Sequence, residues 1–348
     1  ETNGGGELTY NGDLTETISL SGTVGGKYRE NSLSQNLGQT AGGLISPGVY
    51  TVENSPARPT VTDYFQESAL AAVFAKATVG YNEMVYFGVT GRNDWSSTLP
   101  ADNNSYFYPS VNTSFVFTEL SVLEDSEILS FGKVRASWAQ VGRTTDPYQL
   151  NFTYPAGTPY NGKPLKSLTN VLPNAELQRE LTTETELGAQ LRFFGDRFQL
   201  DATLYSRQTE DLIQEVATSR ASGFTARALN AGTISNRGVE LGLDVTPIIS
   251  TESFSWDMRL NWSKNVNEVE SLAEGIENLP VAPDNTPPFG PQIVAREGEE
   301  LGTFYGTGFA TNDEGERVVT PGAPSTYQST SNEVLGSYRP DWTGSAST

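Results

Sequence analysis

The chain has 348 residues, enough for two ordinary domains or one large barrel, and it contains neither cysteine nor histidine. That composition removes disulfides, thiol nucleophiles, imidazole bases and Cys or His metal sites. With 42 acidic against 22 basic residues the formal net charge is −20, which repels nucleic acid and anionic membrane surfaces, so no nucleic-acid partner is expected.

Glycine (34), tyrosine (15), phenylalanine (16) and tryptophan (5) are plentiful and methionine (2) is scarce, a β-rich usage. No run of eighteen apolar residues exists, so no spanning helix is expected. The opening ETNGGGELTYNGD has no basic start and no apolar core, and so reads without a secretory signal. The closing SYRPDWTGSAST is a polar run that caps nothing, so the chain is expected to be an internal piece of a longer polypeptide.

In chain order, the first expected strand runs from Thr15 to Tyr28, with Ile18, Leu20 and Val24 on one face. The Asn-, Ser-, Gly- and Pro-rich stretch from Arg29 to about Gln66 reads as loop. Ala69 to Tyr81 is alanine-rich enough to suggest a helix, but Ala69, Ala71, Val73, Ala75, Ala77, Val79 and Tyr81 share one parity, which favours a strand. A turn at Asn82 and Glu83 leads into Met84 to Arg92, where Val85, Phe87 and Val89 alternate with Tyr86, Gly88, Thr90 and Arg92. After a loop from Asn93 to Tyr106, the strand Phe107 to Phe117 sets Val111, Thr113, Phe115 and Phe117 against Asn112 and Ser114. A connection carrying Glu119, Glu124 and Asp125 precedes the strand Lys133 to Val141, in which Val134, Ala136 and Trp138 oppose Arg135 and Ser137.

A long loop, Gly142 to Glu180, ends at the clearest signal in the chain, Leu181 to Arg207. Its first arm carries Leu187, Ala189, Leu191 and Phe193 on one parity and its second Phe198, Leu200, Ala202 and Leu204, with Gly195 and Asp196 as the expected tight turn. Arms of about ten or more residues exceed the mean strand of about five or six and suit a bilayer crossing of roughly nine to eleven tilted residues. Another long loop reaches Asn236, the strand Gly238 to Thr246 puts Val239, Leu241, Leu243 and Val245 together, and TPIISTE connects to Phe254 to Asn267. There Phe254, Trp256, Met258, Leu260 and Trp262 oppose Ser255, Asp257, Arg259, Asn261 and Ser263.

The expected connections alternate between long and compact, as in an outer-membrane barrel with short periplasmic turns and long extracellular loops. The fold class read from this pattern is all-β, an antiparallel transmembrane β-barrel, incomplete, with about nine to eleven long strands forming one domain over residues 1–348. Lipid is expected on the parity of Val85, Phe87, Leu191, Phe193, Leu200, Leu204, Leu241, Leu243, Trp256, Met258 and Leu260. The opposite parity places Arg92, Arg135, Arg192, Arg197, Asp201, Tyr205, Arg207, Glu240, Asp244, Asp257 and Arg259 toward a wet, mixed-charge lumen. For any one of these residues, membership of a solvated sheet face bearing cross-strand ion pairs is expected ahead of direct substrate contact.

Segments 91–120, 133–148, 172–213 and 230–248, together with EGEELGTFYG (297–306) and GSYRPDWTG (336–344), resemble the barrel of SusC/RagA-type TonB-dependent outer-membrane transporters. The resemblance covers most of the chain from about Tyr64, and the order of the segments is more specific than any one of them. Trp95 departs from it, standing where many members have Gly in an Arg-x-Asp-Gly-Ser-Ser loop. The resemblance implies a plugged barrel of roughly 22 strands, of which the signal peptide, N-terminal extension, plug and closing strands are absent here. It further implies TonB-driven import of oligosaccharides or peptides into a Bacteroidota-like cell. The implied partners are a SusD-like surface lipoprotein, outer-membrane lipid, and TonB, ExbB and ExbD acting through the plug.

Trp95, Tyr106, Tyr108, Tyr154 and Tyr160 lie in or beside the expected outer loops, where an interfacial girdle or contact with a partner is expected ahead of stacking on a solute. The acidic residues Glu268, Glu270, Glu274, Glu277, Asp284, Glu297, Glu299 and Glu300 lack EF-hand spacing and read as solvated loop; no cofactor is expected. Two alternatives remain open at this level: a soluble or surface-attached glycan-binding or adhesive β-protein, and a β-rich glycosidase. No carboxylate pair recommends the second, and the chain is not expected to be an enzyme.

Overall fold

The computed structural model describes residues 1–348 apart from 124–125, 252–253, 282–289 and 323. Eleven strands build one antiparallel sheet: β1 (Thr2–Thr15), β2 (Ile18–Ala41), β3 (Ala57–Tyr81), β4 (Val85–Ser96), β5 (Ser105–Val116), β6 (Leu129–Arg143), β7 (Glu180–Phe193), β8 (Phe198–Glu210), β9 (Gly232–Ser250), β10 (Ser255–Leu272) and β11 (Thr343–Ser347). Each pairs with its predecessor, so the sheet is a meander, and it does not close. Because successive strands reverse direction, alternate connections fall at opposite ends. One end carries the short turns 16–17, 82–84, 194–197 and 251–254 and the twelve-residue connection 117–128; the other carries the long loops 42–56, 144–179, 211–231 and 273–342 together with the eight-residue 97–104. The smaller sheets lie in those long loops, such as the ribbon of Ala156–Tyr160 with Lys163–Lys166 and the four strands that include Thr303–Phe309 and Ser329–Ser337.

The register keeps like with like. Val85, Phe115, Val134, Ala189, Ala202, Leu241 and Trp262 face one another in a row across seven strands. One residue along, Tyr86, Ser114, Arg135, Gly188, Thr203, Glu240 and Ser263 form the matching polar row. Ala69 to Tyr81 is strand, and its odd-numbered residues from Ala69 to Tyr81 join the first row set through Tyr81 opposite Val85, whereas Leu70, Ala72 and Phe74 lie on the polar parity.

The apolar face has no core over it: Leu187, Leu204 and Val24 are 56%, 53% and 55% exposed. Buried apolar clusters occur instead at the long-loop end. One joins Leu99, Tyr106, Tyr108, Leu177 and Ala228, and another joins Val216, Ala231, Val269, Leu279 and Ala295. The long loops therefore fold on one another while the wall below them stays a single layer.

Three sequence expectations are corrected. First, the Arg29–Gln66 segment is mostly strand, because β2 runs to Ala41 and β3 starts at Ala57, leaving 42–56 as the connection. Pairing between the two arms satisfies the inward-facing backbone groups and water can take the outward-facing ones, so a ribbon forms without an apolar stripe. Second, the glycine-rich start is the edge strand β1, paired to β2 from Thr2 opposite Glu30 to Thr15 opposite Ile18. Third, the β7–β8 turn is four residues long, since Phe193 and Phe198 are the last facing pair. Phe194, Gly195 and Asp196 all adopt positive φ (56°, 65° and 66°). What holds this turn comes from β6 and the residue before it: Phe194 N–H donates to the Ile128 carbonyl (2.8 Å), and the N–H groups of Gly195 and Asp196 donate to Ser130 Oγ (2.7 and 3.3 Å). Such a conformation at a phenylalanine needs outside support, which periodicity along the chain does not reveal.

Candidate functional site

The polar face of the sheet is a ladder of cross-strand ion pairs and hydrogen bonds. Arg135 on β6 reaches across β7 to Asp201 on β8, donating from Nη1 and Nη2 to the two carboxylate oxygens (3.0 and 2.9 Å) and from Nη2 to Thr203 Oγ1 (2.6 Å). It crosses at Gly188, where a Cβ would stand 2.5 Å from the Arg135 Nε. Arg207 donates to both oxygens of Glu184 (3.1 and 2.9 Å), and Arg259 pairs with Asp244. Tyr205 OH donates to Asn265 Oδ1 (3.0 Å), whose amide donates to Asn236 Oδ1 (3.2 Å).

Of the residues expected to face a lumen, Arg135, Asp201, Tyr205, Arg207, Asp244 and Arg259 belong to this ladder; Arg92 pairs with Asp94 on its own strand, Glu240 joins no ion pair among the described residues, and three more differ. Arg197 lies in the β7–β8 turn, donating to the Pro247 carbonyl at 3.0 Å, so it ties two short turns together. Arg192 stacks on the Phe131 ring (4.9 Å) and lies 3.6 Å from Asp196. Asp257 is exposed and joins no ion pair among the described residues. On the opposite parity, Leu191, Leu200, Leu243 and Met258 are half-buried by their strand neighbours, and none belongs to a buried cluster.

The aromatic candidates separate. Trp95 is 40% exposed at the long-loop end of β4, on the parity of Val85, Phe87 and Val89. Tyr154 and Tyr160 project from the 144–179 loop, 61% and 69% exposed. Tyr106 and Tyr108, by contrast, are on β5 and are 4% and 8% exposed, packed against Leu99, Leu177 and Ala228, with Arg179 over the Tyr106 ring at 5.0 Å. Tyr106 offers no face to a solute in this arrangement, and Tyr108 borders a depression with little of its ring exposed. The loops that bury them arrive from far along the chain, and only tertiary packing reveals that.

Two adjoining depressions open on the polar face toward the long loops. The larger, about 740 Å³, runs over β1–β4 and is bordered by Glu1, Glu7, Lys27, Arg29, Leu70 and Arg92. The second, about 510 Å³, shares Arg29, Leu70 and Arg92 and adds Asp94, Tyr108 and Arg143. Arg92 Nε donates to Asp94 Oδ1 at 2.6 Å. Arg29 and Arg143 were assigned to loops from sequence, and no local signal brings them together. Among the described residues no three acidic side chains gather closely enough to hold a metal ion; Asp284 lies outside the described residues.

A family model for the TonB dependent receptor-like β-barrel matches residues 2–345. TonB-dependent receptor P26 of Formosa agariphila is 26% identical over 283 residues, covering 80% of this chain and 28% of that protein. The SusC receptor of Bacteroides thetaiotaomicron is 27% identical over 223 residues, 62% of this chain and 22% of its own length. Among solved structures, the RagAB peptide transporter superposes with a TM-score of 0.79 at 20% identity, covering 99% of this chain and 38% of that one. The outer membrane transporter YddB from Escherichia coli superposes with a TM-score of 0.52 at 12% identity, over 76% of this chain and 33% of its own. The chain thus spans under a third of these two curated relatives and shares the fold of the two structures.

Proposed function

The chain belongs to the TonB-dependent receptor-like β-barrel family, whose members are outer-membrane proteins, and on that premise we propose that it forms part of the wall of an energised importer of oligosaccharides or peptides. The observation that carries this reading is the two-faced sheet: one parity exposes large apolar side chains with no protein over them, while the other is a continuous ladder of paired charges and amides. A soluble β-sandwich would bury the first face in a core; a bilayer covers it with acyl chains instead.

In this reading Val85, Phe87, Leu191, Leu204, Leu241 and Met258 meet lipid, and Trp95 sits in the outer aromatic girdle. Arg135, Asp201, Arg207, Glu240 and Arg259 line the passage. Tyr154 and Tyr160 are the exposed rim aromatics placed to stack on a solute. A SusD-like lipoprotein closes over the long loops, and TonB with ExbB and ExbD supplies the energy through a plug carried elsewhere in the polypeptide.

The test is a deletion of the encoding gene followed by growth on defined oligosaccharides and on peptides as sole nutrient source, with fractionation of the tagged full-length protein. Loss of growth on one nutrient class, restored by the gene in trans, with the protein in the detergent-soluble outer-membrane fraction, is expected. Recovery of the protein as a detergent-free soluble species that binds glycans without affecting uptake would replace this reading with the adhesive one.

A further inference from the structure

We propose that the long-loop end of the polar face contains a subsite for an anionic group, a carboxylate or a sulfate ester, on the transported solute; this rests on the import reading above. Three arginines from three different strands, Arg29 on β2, Arg92 on β4 and Arg143 on β6, line the same depression of about 510 Å³. That volume falls in the range of small-molecule pockets, roughly 300–1,000 Å³. Arg29 and Arg92 also border the adjoining groove, where Lys27 adds a fourth cation opposite Glu1 and Glu7 on β1.

The contrast with the rest of the wall is what points to a ligand. Where Arg135, Arg207 and Arg259 serve the wall, a carboxylate stands opposite each on a nearby strand. In the depression the only acidic side chain is Asp94, and it is held by Arg92. Arg29 and Arg143 have no carboxylate within ion-pair distance among the described residues; Glu180 is the register partner of Arg143 on β7, but its Oε1 accepts from the Ile213 N–H (3.0 Å) instead. Two guanidinium groups that make no ion pair among the described residues, in a chain of net charge −20, leave donors free for an anionic ligand. A planar guanidinium matches a carboxylate or sulfate in a two-point contact. Thr90, Ser110 and Thr144 supply the neutral donors that a sugar or peptide chain needs beside its charge.

The position also separates this site from the interior of the passage. Arg143 ends β6 and Arg92 lies four residues from the end of β4, both at the long-loop end, so an incoming solute meets them first.

The experiment is binding to the full-length receptor in detergent at low salt, using four probes: tetragalacturonate against cellotetraose, and N-acetylated, C-amidated tetraglutamate against the tetraalanine equivalent. Wild type is expected to bind at least one anionic probe about tenfold or more tightly than its neutral counterpart. The R29Q/R143Q double variant should lose that preference while binding the neutral probes unchanged, because neither arginine holds an ion pair in the wall. Which anionic probe binds identifies the source, acidic glycan or acidic peptide. Absence of any preference in wild type, or its persistence in the double variant with native heat-modifiable migration on gels, overturns the subsite. Failure of the import reading would appear separately, as uptake that is indifferent to gene deletion.

Discussion

Gly188 shows how one missing side chain organises the wall. Valine there would ordinarily favour a strand, yet its Cβ would arrive 2.5 Å from the Arg135 Nε and displace the guanidinium that bridges β6 to β8. Both partners of the ion pair are a third to a half exposed, so the bridge itself contributes no more than about 1 kcal/mol. Gly188→Val in the full-length receptor should therefore destabilise by about 1 kcal/mol, and the same change in an Arg135→Ala background should cost little. Urea unfolding from lipid vesicles, run as a double-mutant cycle, measures the difference. Equal losses in both backgrounds would mean that Arg135 does not rely on the space above the glycine. Gly238 plays a similar part beneath Tyr205, whose ring occupies the volume a Cβ would take.

At the scale of elements, the β2–β3 ribbon is the feature that periodicity conceals. Beyond Asn31 and Ser68 it has only two strands, since β1 pairs to Glu30 and β4 reaches Leu70. The 11 residues from Asn31 to Ala41 project roughly 35 Å past the wall. Among the described residues its one hydrogen bond to the rest of the protein is the Glu67 N–H donating to the Tyr148 hydroxyl at 3.2 Å. Tyr50, at its tip, is 85% exposed. Chymotrypsin added to intact cells should therefore cut after Tyr50 before it cuts any of the eleven strands, leaving two fragments that stay associated until denatured. Early cleavage at Phe194, in a short turn, with Tyr50 protected would invert the assigned orientation.

At the scale of the molecule, the apolar band is slanted against the register. Val85, the first apolar residue on its face of β4, lies in the row that ends at Trp262 on β10, whereas the band on β10 begins at Trp256. Going from 256 to 262 is a drift of six residues over the six strand steps from β4 to β10, or one residue per strand. With about 3.3 Å per residue along a strand and about 4.8 Å between strands, a level membrane then requires a strand tilt of roughly 35°. That value falls at the lower end of the roughly 35–45° expected of outer-membrane barrels. Polarised infrared measurements on the full-length receptor in oriented bilayers should return a mean strand tilt near it; a tilt below about 20° would show that the apolar stripe is not the membrane band.

The identity of the faces was legible in the chain itself. Alternation in Leu187–Phe193, Phe198–Leu204 and Trp256–Trp262 assigns every side chain to one of two sides, because a strand's geometry has period two and no packing is needed to read it. The sorting of connections into compact and long was likewise visible, and with it the barrel class. The structure alone supplied what depends on register between distant segments: the length of the β2–β3 ribbon, the support of the Phe194 turn by Ser130, and the burial of Tyr106 and Tyr108 under Leu177 and Ala228. The meeting of Arg29, Arg92 and Arg143 belongs to the same group, since those residues are up to 114 positions apart (29 to 143) and only the strand order places them around one depression. Local periodicity specifies which way a side chain points, whereas its neighbours across the sheet are chosen by hydrogen-bond pairing and loop packing that no short stretch of sequence encodes.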